Sequence, residues 1–311
     1  MRQGKIAKAV MKRDVAAWRQ EGPPTDGVRL NAYAAKGAGK LWGAVPSKTL
    51  DMNLSKQEFV TAVATQLGVD VVEGGVPCGF CGQMLDPGGI HCLSCMSGGD
   101  AVRLHNGIRD VYYDFCERGG LRPEREAPGL LHDILGSHDA HRPADVLCVP
   151  ALTLARVLPD GSRAIKTERV CFDFAVINAL GPDHWADTAA KGGKAADSYA
   201  QRKSRRNGTE DKCQAVGLQF WPVVHEAQGG TAKGSDAAMR AIAEAVAGQE
   251  NRDAPTIRLE IARRIAIVTA RGNAQAIRKR ACRAYLRTHE RAVLEQLRGQ
   301  PASNETDDDD D

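Results

Sequence analysis

The chain has 311 residues, 42% of them hydrophobic, which is enough apolar material to bury a core in one large or two modest domains. No apolar run is long enough to span a bilayer, and Met1 to Lys8 lacks the apolar stretch of a secretory leader. An intracellular, reducing location is expected, so the nine cysteines point to metal ligands and buried thiols rather than disulfides. The formal charge is only +3, but Asp307 to Asp311 carry five negative charges, leaving a body of +8 that argues for an anionic partner, nucleic acid first.

Residues 1–30 mix basic residues with Pro23-Pro24-Thr25-Asp26-Gly27 and read as a short helix followed by a loop. Ala34-Ala35-Lys36-Gly37-Ala38-Gly39-Lys40 superficially resembles a phosphate-binding loop. It fails the pattern, because Ala34 stands at the first glycine and Leu41 follows the lysine where Ser or Thr is needed. Ser55 with Glu58 three residues on predicts a capped helix start, with Phe59, Val63 and Leu67 as an apolar stripe and Gly68 as the stop.

Cys78-x2-Cys81 is followed by His91 and then Cys95, with glycines supplying turns between them. Three thiolates and one imidazole make a closed tetrahedral zinc set, structural rather than catalytic because no position stays open for substrate. Cys92 is a spare that could replace a ligand. A pairing through Cys92 and Cys95 without His91 is the competing arrangement.

A helix is predicted from Arg103 to Glu117, burying Ile108, Val111, Tyr112 and Phe115. Arg103, His105 and Arg109 would lie near its start, where phosphate binds readily, although His105 equally suits a cap or a core position. Leu121 to Glu126 reads as a short extended piece; Glu126 is a candidate third metal carboxylate and Glu124 a surface charge. His132, His138 and His141 dot a polar loop before Arg142.

Val146 to Val149 and Val170 to Val176 read as adjacent strands joined through a turn at Pro159-Asp160-Gly161. Pairing them could bring Asp145 and Asp173 together, and a divalent cation such as Mg²⁺ or Mn²⁺ would relieve the repulsion between the two carboxylates. The bland reading has both aspartates bonding neighbouring backbone at strand ends. A helix over 195–203 then places Lys203 four residues after Tyr199. That lysine either supports chemistry at the carboxylates or belongs to a solvated basic face with Arg202, Arg205 and Arg206 that grips the phosphate backbone. Phe220 to Val224 is a third strand, leading to Glu226. Helices follow over 235–247 and 256–298, the second divided near Gly272 and turning its arginines outward. The expected organisation is a basic helical part over 1–76, the zinc motif over 77–100, a core over 101–250, basic helices over 251–300 and a disordered acidic tail over 301–311.

Taken in order, these residues resemble the C-terminal region of reverse-transcriptase polyproteins from retrotransposons without long terminal repeats. There a Cys-Cys-His-Cys zinc motif precedes a restriction-endonuclease-like domain of the PD-(D/E)XK superfamily. The resemblance rests on Cys78, Cys81, His91 and Cys95; His105-Asn106 and Ile108-Arg109-Asp110; Arg142-Pro143-Ala144-Asp145; Asp173; Lys203; and Phe220-x-Pro222 with Glu226-x2-Gly229. It implies an α/β fold with a mixed sheet flanked by helices, metal held by Asp145 and Asp173, and Lys203 in place of the superfamily's lysine. The implied activity is Mg²⁺- or Mn²⁺-dependent nicking of DNA, with a reverse transcriptase or the rest of a polyprotein as partner and the nucleus as location. The departures are specific. Ala175 stands where the Asp-x-Lys lysine is expected, Ala144 separates Pro143 from Asp145, and the chain has no polymerase motif. They leave open an inactive zinc-containing remnant that binds DNA or RNA.

Overall fold

The computed structural model describes residues 13, 15–17, 21–131, 143–157 and 163–298, with side chains described at 13, 15–17, 21–131, 143–149 and 169–282. The turn at 159–161, the three loop histidines, Arg142 and the acidic tail lie outside the described residues.

Four strands form one mixed sheet in the order β1 (Pro123–Arg125), β2 (Val146–Val157), β3 (Arg163–Ile177), β4 (Leu218–Glu226). Pairs β1–β2 and β2–β3 are antiparallel, and β3–β4 is parallel. A parallel neighbour requires a crossover, and helices α5 (Trp185–Ala190), α6 (Lys194–Arg205) and α7 (Thr209–Ala215) supply it. The β2–β3 register breaks between Cys148 and Leu152; Pro150, which has no N–H to give the ladder, falls in that break.

Both faces of the sheet are covered, so its strands read as nearly continuous apolar runs. One face presents Val146, Cys148, Val170, Phe172, Phe174 and Val223 to helices α4 (Asp100–Arg118), α8 (Lys233–Glu250) and α9 (Ala254–Arg298). Aromatic packing fills this core, with Tyr112 5.0 Å from Phe174 and Phe172 5.8 Å from Trp221 between ring centroids. The other face packs Ala175, Ile177 and Val224 on α6, and Leu147, Cys171 and Phe220 beside Cys213 of α7.

Several expectations change here. Pro24 opens helix α1 (Pro24–Tyr33), so Pro23-Pro24-Thr25 is a helix start and not a loop. Helix α2 (Lys56–Leu67) has the expected Ser55–Glu58 capping box, yet Phe59 and Leu67 are exposed and no residue of α2 is buried. Gly272 does not divide the last helix. A Cβ there would stand 2.9 Å from Leu104, and one at Gly107 would stand 2.9 Å from Val268. The two glycines let α4 and α9 approach closely. Arg280 does not face outward; it is fully buried.

Among the described residues, no helix is long and apolar enough to cross a membrane.

Candidate active site and metal centre

The β2–β3 register sets Val146 opposite Phe172, which brings the backbone of Asp145 alongside β3, its N–H donating to the Phe172 carbonyl at 2.9 Å. The Asp145 Oδ2 accepts from the Phe174 N–H at 2.6 Å and lies 3.2 Å from His105 Nε2. Asp173, between the core residues Phe172 and Phe174, turns to the opposite face under α6. There Lys203 Nζ donates to Asp173 Oδ1 at 2.8 Å and to the Phe174 carbonyl at 2.7 Å. Helix α6 projects Tyr199 and Lys203 on one side because four residues make about one turn.

All four side chains are only partly exposed, from 17% for Asp145 to 26% for His105. Burial opposes ionisation of Asp145, but His105, the Phe174 N–H and the nearby Lys203 outweigh it and hold its carboxyl below the usual range. Burial raises Asp173; Lys203 works against that and the charge of Asp145 adds to it. The hydrogen bond to Asp145 raises His105 against its own burial. The site is therefore two mutually repelling carboxylates, each with a cationic or cation-forming neighbour.

Other expected site residues lie elsewhere. Glu126 directs its carboxylate to Arg109 at 3.1 Å, and it does not join Asp145 and Asp173 in a three-donor group. Its backbone N–H still donates to the Asp145 carbonyl at 3.1 Å. Arg109 also binds Asp110, so its guanidinium is committed to two carboxylates instead of facing an open phosphate position. Arg103 is paired with Asp100 at 2.8 Å at the start of α4. His105, expected either near phosphate or at a cap or core position, sits on Asp145; the His105-Asn106 pair was visible in the sequence, but its reach to Asp145 was not. Arg202 and Arg205 of α6, the helix that carries Lys203, and Arg206 just past its end line one open groove of about 450 Å³ with Ser198, Gln201 and Asp187 of α5.

The second constellation closes as a unit. The ligand atoms of Cys78, Cys81, His91 and Cys95 all lie within 4.8 Å of one another, the single such group of three or more among the described residues. A tetrahedral zinc with thiolate bonds of about 2.3 Å needs sulfurs about 3.8 Å apart. Cys81 and Cys95 stand 3.7 Å apart, and Cys81 lies 3.3 Å from His91 Nε2. The donor set therefore suits zinc. Burial opposes ionisation of Cys78, yet the backbone N–H groups of Cys81 and Phe80, with the His91 and Cys81 side chains, bring its thiol down to about 6. Cys92 is buried on the apolar side with Val72, Leu85 and Ile277, and burial pushes its thiol up to about 12. It is a packing residue beside the ligands.

Local structure holds these ligands. Asp86 accepts from the N–H groups of Ile90 and His91 at 2.8 and 2.6 Å, capping helix α3 (Ile90–Ser94), which carries His91. Asp86 precedes the Pro87-Gly88-Gly89 turn, a capping signal present in the sequence. Arg280, which gave no such signal, donates to the carbonyls of Cys95 and Ser97 and to Asp100.

In comparisons with known proteins, no family model, no curated protein and no solved structure matches the chain.

Proposed function

We propose that the chain is a metal-dependent DNA endonuclease derived from or part of a retroelement, hydrolysing a phosphodiester at Asp145 and Asp173. One observation carries the reading: Lys203, displaced from the strand to helix α6, reaches Asp173 at 2.8 Å beside Asp145. The lysine missing after Asp173 is thus replaced in space by one from the covering helix. The mixed sheet with helices on both faces supports a restriction-endonuclease-like fold.

Mg²⁺ and Mn²⁺ take oxygen ligands and are commonly held by one or two carboxylates plus substrate phosphate, which Asp145 and Asp173 fit without a third acid. When bound, such an ion would polarise the phosphoryl oxygen and make its water more acidic. Lys203 stabilises the negative charge that grows on the phosphoryl oxygens during attack by water, and its bond to the Phe174 carbonyl fixes its direction. His105 holds Asp145 in place. Arg202 and Arg205 on the same helix, with Arg206 just past its end, grip the strand's phosphates. The Cys78–Cys95 unit is structural.

The second reading, an inactive nucleic-acid-binding remnant, is favoured by the ion pairs themselves. Lys203 already pairs with Asp173 and His105 already occupies Asp145 Oδ2. A plasmid-nicking assay with Mg²⁺ or Mn²⁺ separates the two. The nuclease reading expects nicking by the parent and a fall of about 10²-fold or more in Asp173→Ala and Lys203→Ala, with DNA binding nearly unchanged. Bound but uncut plasmid with the parent protein establishes the remnant instead.

A further inference from the structure

Between Trp42 and Val69 the chain turns apolar groups to solvent. Among the described residues, most of the exposed large hydrophobics fall in this stretch, Trp42, Phe59, Val60 and Leu67 among them. Apolar exposure concentrated in this way marks a contact surface. Two elements build it, a 3₁₀ turn over Ala38–Gly43 and helix α2, and both lie on α9. Helix α2 meets α9 through small and polar groups, for Thr61, Ala62 and Thr65 share a narrow cavity with Ala266 and Ala270. The two threonine hydroxyls donate within α2, to the carbonyls of Gln57 and Thr61 at 2.8 and 3.0 Å. Phe59 and Leu67, which the sequence marks for burial, are therefore left outside.

The rings in this surface are held in place without being covered. Trp42 and Phe59 meet edge to face, 6.1 Å between centroids at 84°, and remain 44% and 50% exposed. Each ring fixes the other's direction, and about half of each stays open to a flat ligand.

The charges around the rings are unbalanced. Residues 34–69 hold four lysines and two carboxylates. Both carboxylates are engaged within the chain, Asp51 by Arg271 at 2.8 Å and Glu58 by the Ser55 N–H at 2.7 Å. Lys36 is paired with Asp236. Lys40, Lys48 and Lys56 are exposed and have no ion-pair partner among the described residues. Lys40 stands two residues before Trp42 on the 3₁₀ turn, and Lys56 lies one helical turn before Phe59 on the same side of α2.

We infer that this surface binds single-stranded nucleic acid, with bases stacked on Trp42 and Phe59 and phosphates on Lys40 and Lys56. A nucleic-acid strand repeats a π-face and a negative charge at every unit, which matches open rings interleaved with unpaired lysines. An apolar protein surface would cover the rings and leave the lysines without counter-charge. A duplex keeps its base faces inside its own stack, so only an unpaired strand can use the rings. The same chemistry comes from DNA or RNA. The inference stands apart from hydrolysis at Asp145 and Asp173.

The test is fluorescence anisotropy of the full chain with a labelled oligothymidylate and with a labelled blunt duplex of equal length. No Mg²⁺ or Mn²⁺ is added, so cleavage plays no part. Trp42→Ala should weaken the oligothymidylate by about tenfold or more and leave duplex binding nearly unchanged, and Trp42→Phe should keep most of the parent's affinity. Lys40→Gln combined with Lys56→Gln changes only exposed side chains, so its melt should match the parent's; its slope of log affinity against log salt should be smaller by about 1.4 for the single strand. The inference is overturned if Trp42→Ala binds oligothymidylate as the parent does, if the salt slope is unchanged in the double variant, or if every variant weakens strand and duplex alike. A parent that sediments as a dimer, beside a monomeric Trp42→Ala with equal oligothymidylate affinity, would assign the surface to a second copy instead. Oligouridylate of the same length distinguishes the sources, tighter binding of one or the other naming RNA or DNA.

Discussion

Glu226 and His225 are adjacent in β4, point to opposite faces and are both buried, and burial discourages charge in each. The Glu226 carboxyl is pushed up to about 7 and the His225 imidazole down to about 4, the latter with its Nε2 3.0 Å from the Tyr112 hydroxyl. The two act on stability with opposite signs. Glu226 has a folded pKa above its ordinary 4.5, so its contribution is whole below that value and is lost as pH rises through about 7. His225 has a depressed pKa, so its contribution is whole above its ordinary 6.5 and is lost as pH falls through about 4. Between these ordinary values the two slopes oppose, and the parent's pH profile conceals both. Glu226→Gln removes one slope and keeps an acceptor for the Ala196 N–H. Its unfolding free energy from urea titration should match the parent's near pH 4.5 and exceed it above pH 7, by on the order of 3 kcal/mol at most. A constant difference across that window would contradict a buried, neutralised Glu226. A second comparison at single-residue scale separates ligand from packing residue in the zinc set. Cys95→Ser should purify with less than one zinc per chain, whereas Cys92→Ser should keep the parent's full equivalent by atomic absorption and lose only packing.

Helix α9 runs unbroken for 45 residues and does two jobs at different points along its length. Around Ile257, Ile261 and Ile265 it closes the main core; around Ile277 and Arg280 it closes the Cys–His unit. The apolar stripe, with Ile261, Ile265 and Ile277 on it, was legible, because isoleucines at helical spacing in an arginine-rich segment mark a buried side. The part played by Arg280 was not. Arg280 looks like its arginine neighbours, and its partner Asp100 stands 180 residues away. The same division holds elsewhere. β-branched and aromatic runs marked the strands, and the Ser55–Glu58 box marked α2, because those signals are local. The pairing of His105 with Asp145 depends on how α4 lies across the sheet face, and the exposure of Phe59 and Leu67 depends on what α2 has to pack against. Lys203 falls between the two cases: its helix and its face were readable, but its 2.8 Å approach to Asp173 is a product of the crossover's length. Burial makes Arg280 costly to lose. Arg280→Ala leaves Asp100, 3% exposed, with only Arg103 and Lys279, both more exposed, and strips two carbonyls of their donor. The expected loss is about 3 kcal/mol or more in chemical denaturation. Arg103→Ala removes a 58% exposed partner of the same carboxylate and should cost less than about 1 kcal/mol. Equal losses would mean that the buried arginine carries no special share.

At the scale of the whole molecule, the Cys–His unit that could hold zinc is attached to the sheet as well as to α9. Asn178, just past the end of β3, donates to the Ile90 carbonyl and to Ser94 Oγ, both at 2.9 Å, on the helix that carries His91. Its own Oδ1 accepts from Gln228 at 2.8 Å, and Gln228 in turn accepts from the Ala179 N–H at 3.0 Å, tying the ends of β3 and β4 together. Arg280 makes the second attachment, from α9 to the Cys95 and Ser97 carbonyls. Metal held by Cys78, Cys81, His91 and Cys95 therefore bears on two structural seams at once, and its binding energy is coupled to the fold of the sheet. Removing zinc with a chelator should lower the melting temperature of the whole chain in one cooperative transition, detected equally by far-ultraviolet ellipticity and tryptophan fluorescence. Asn178→Ala should loosen one seam. Its zinc-loaded form should melt slightly below the parent, and its chelated form should show the zinc unit unfolding ahead of the sheet, as a separate phase. If the parent's sheet melts at the same temperature with and without zinc, the two seams transmit nothing, and the Cys–His unit is an independent module carried by the chain.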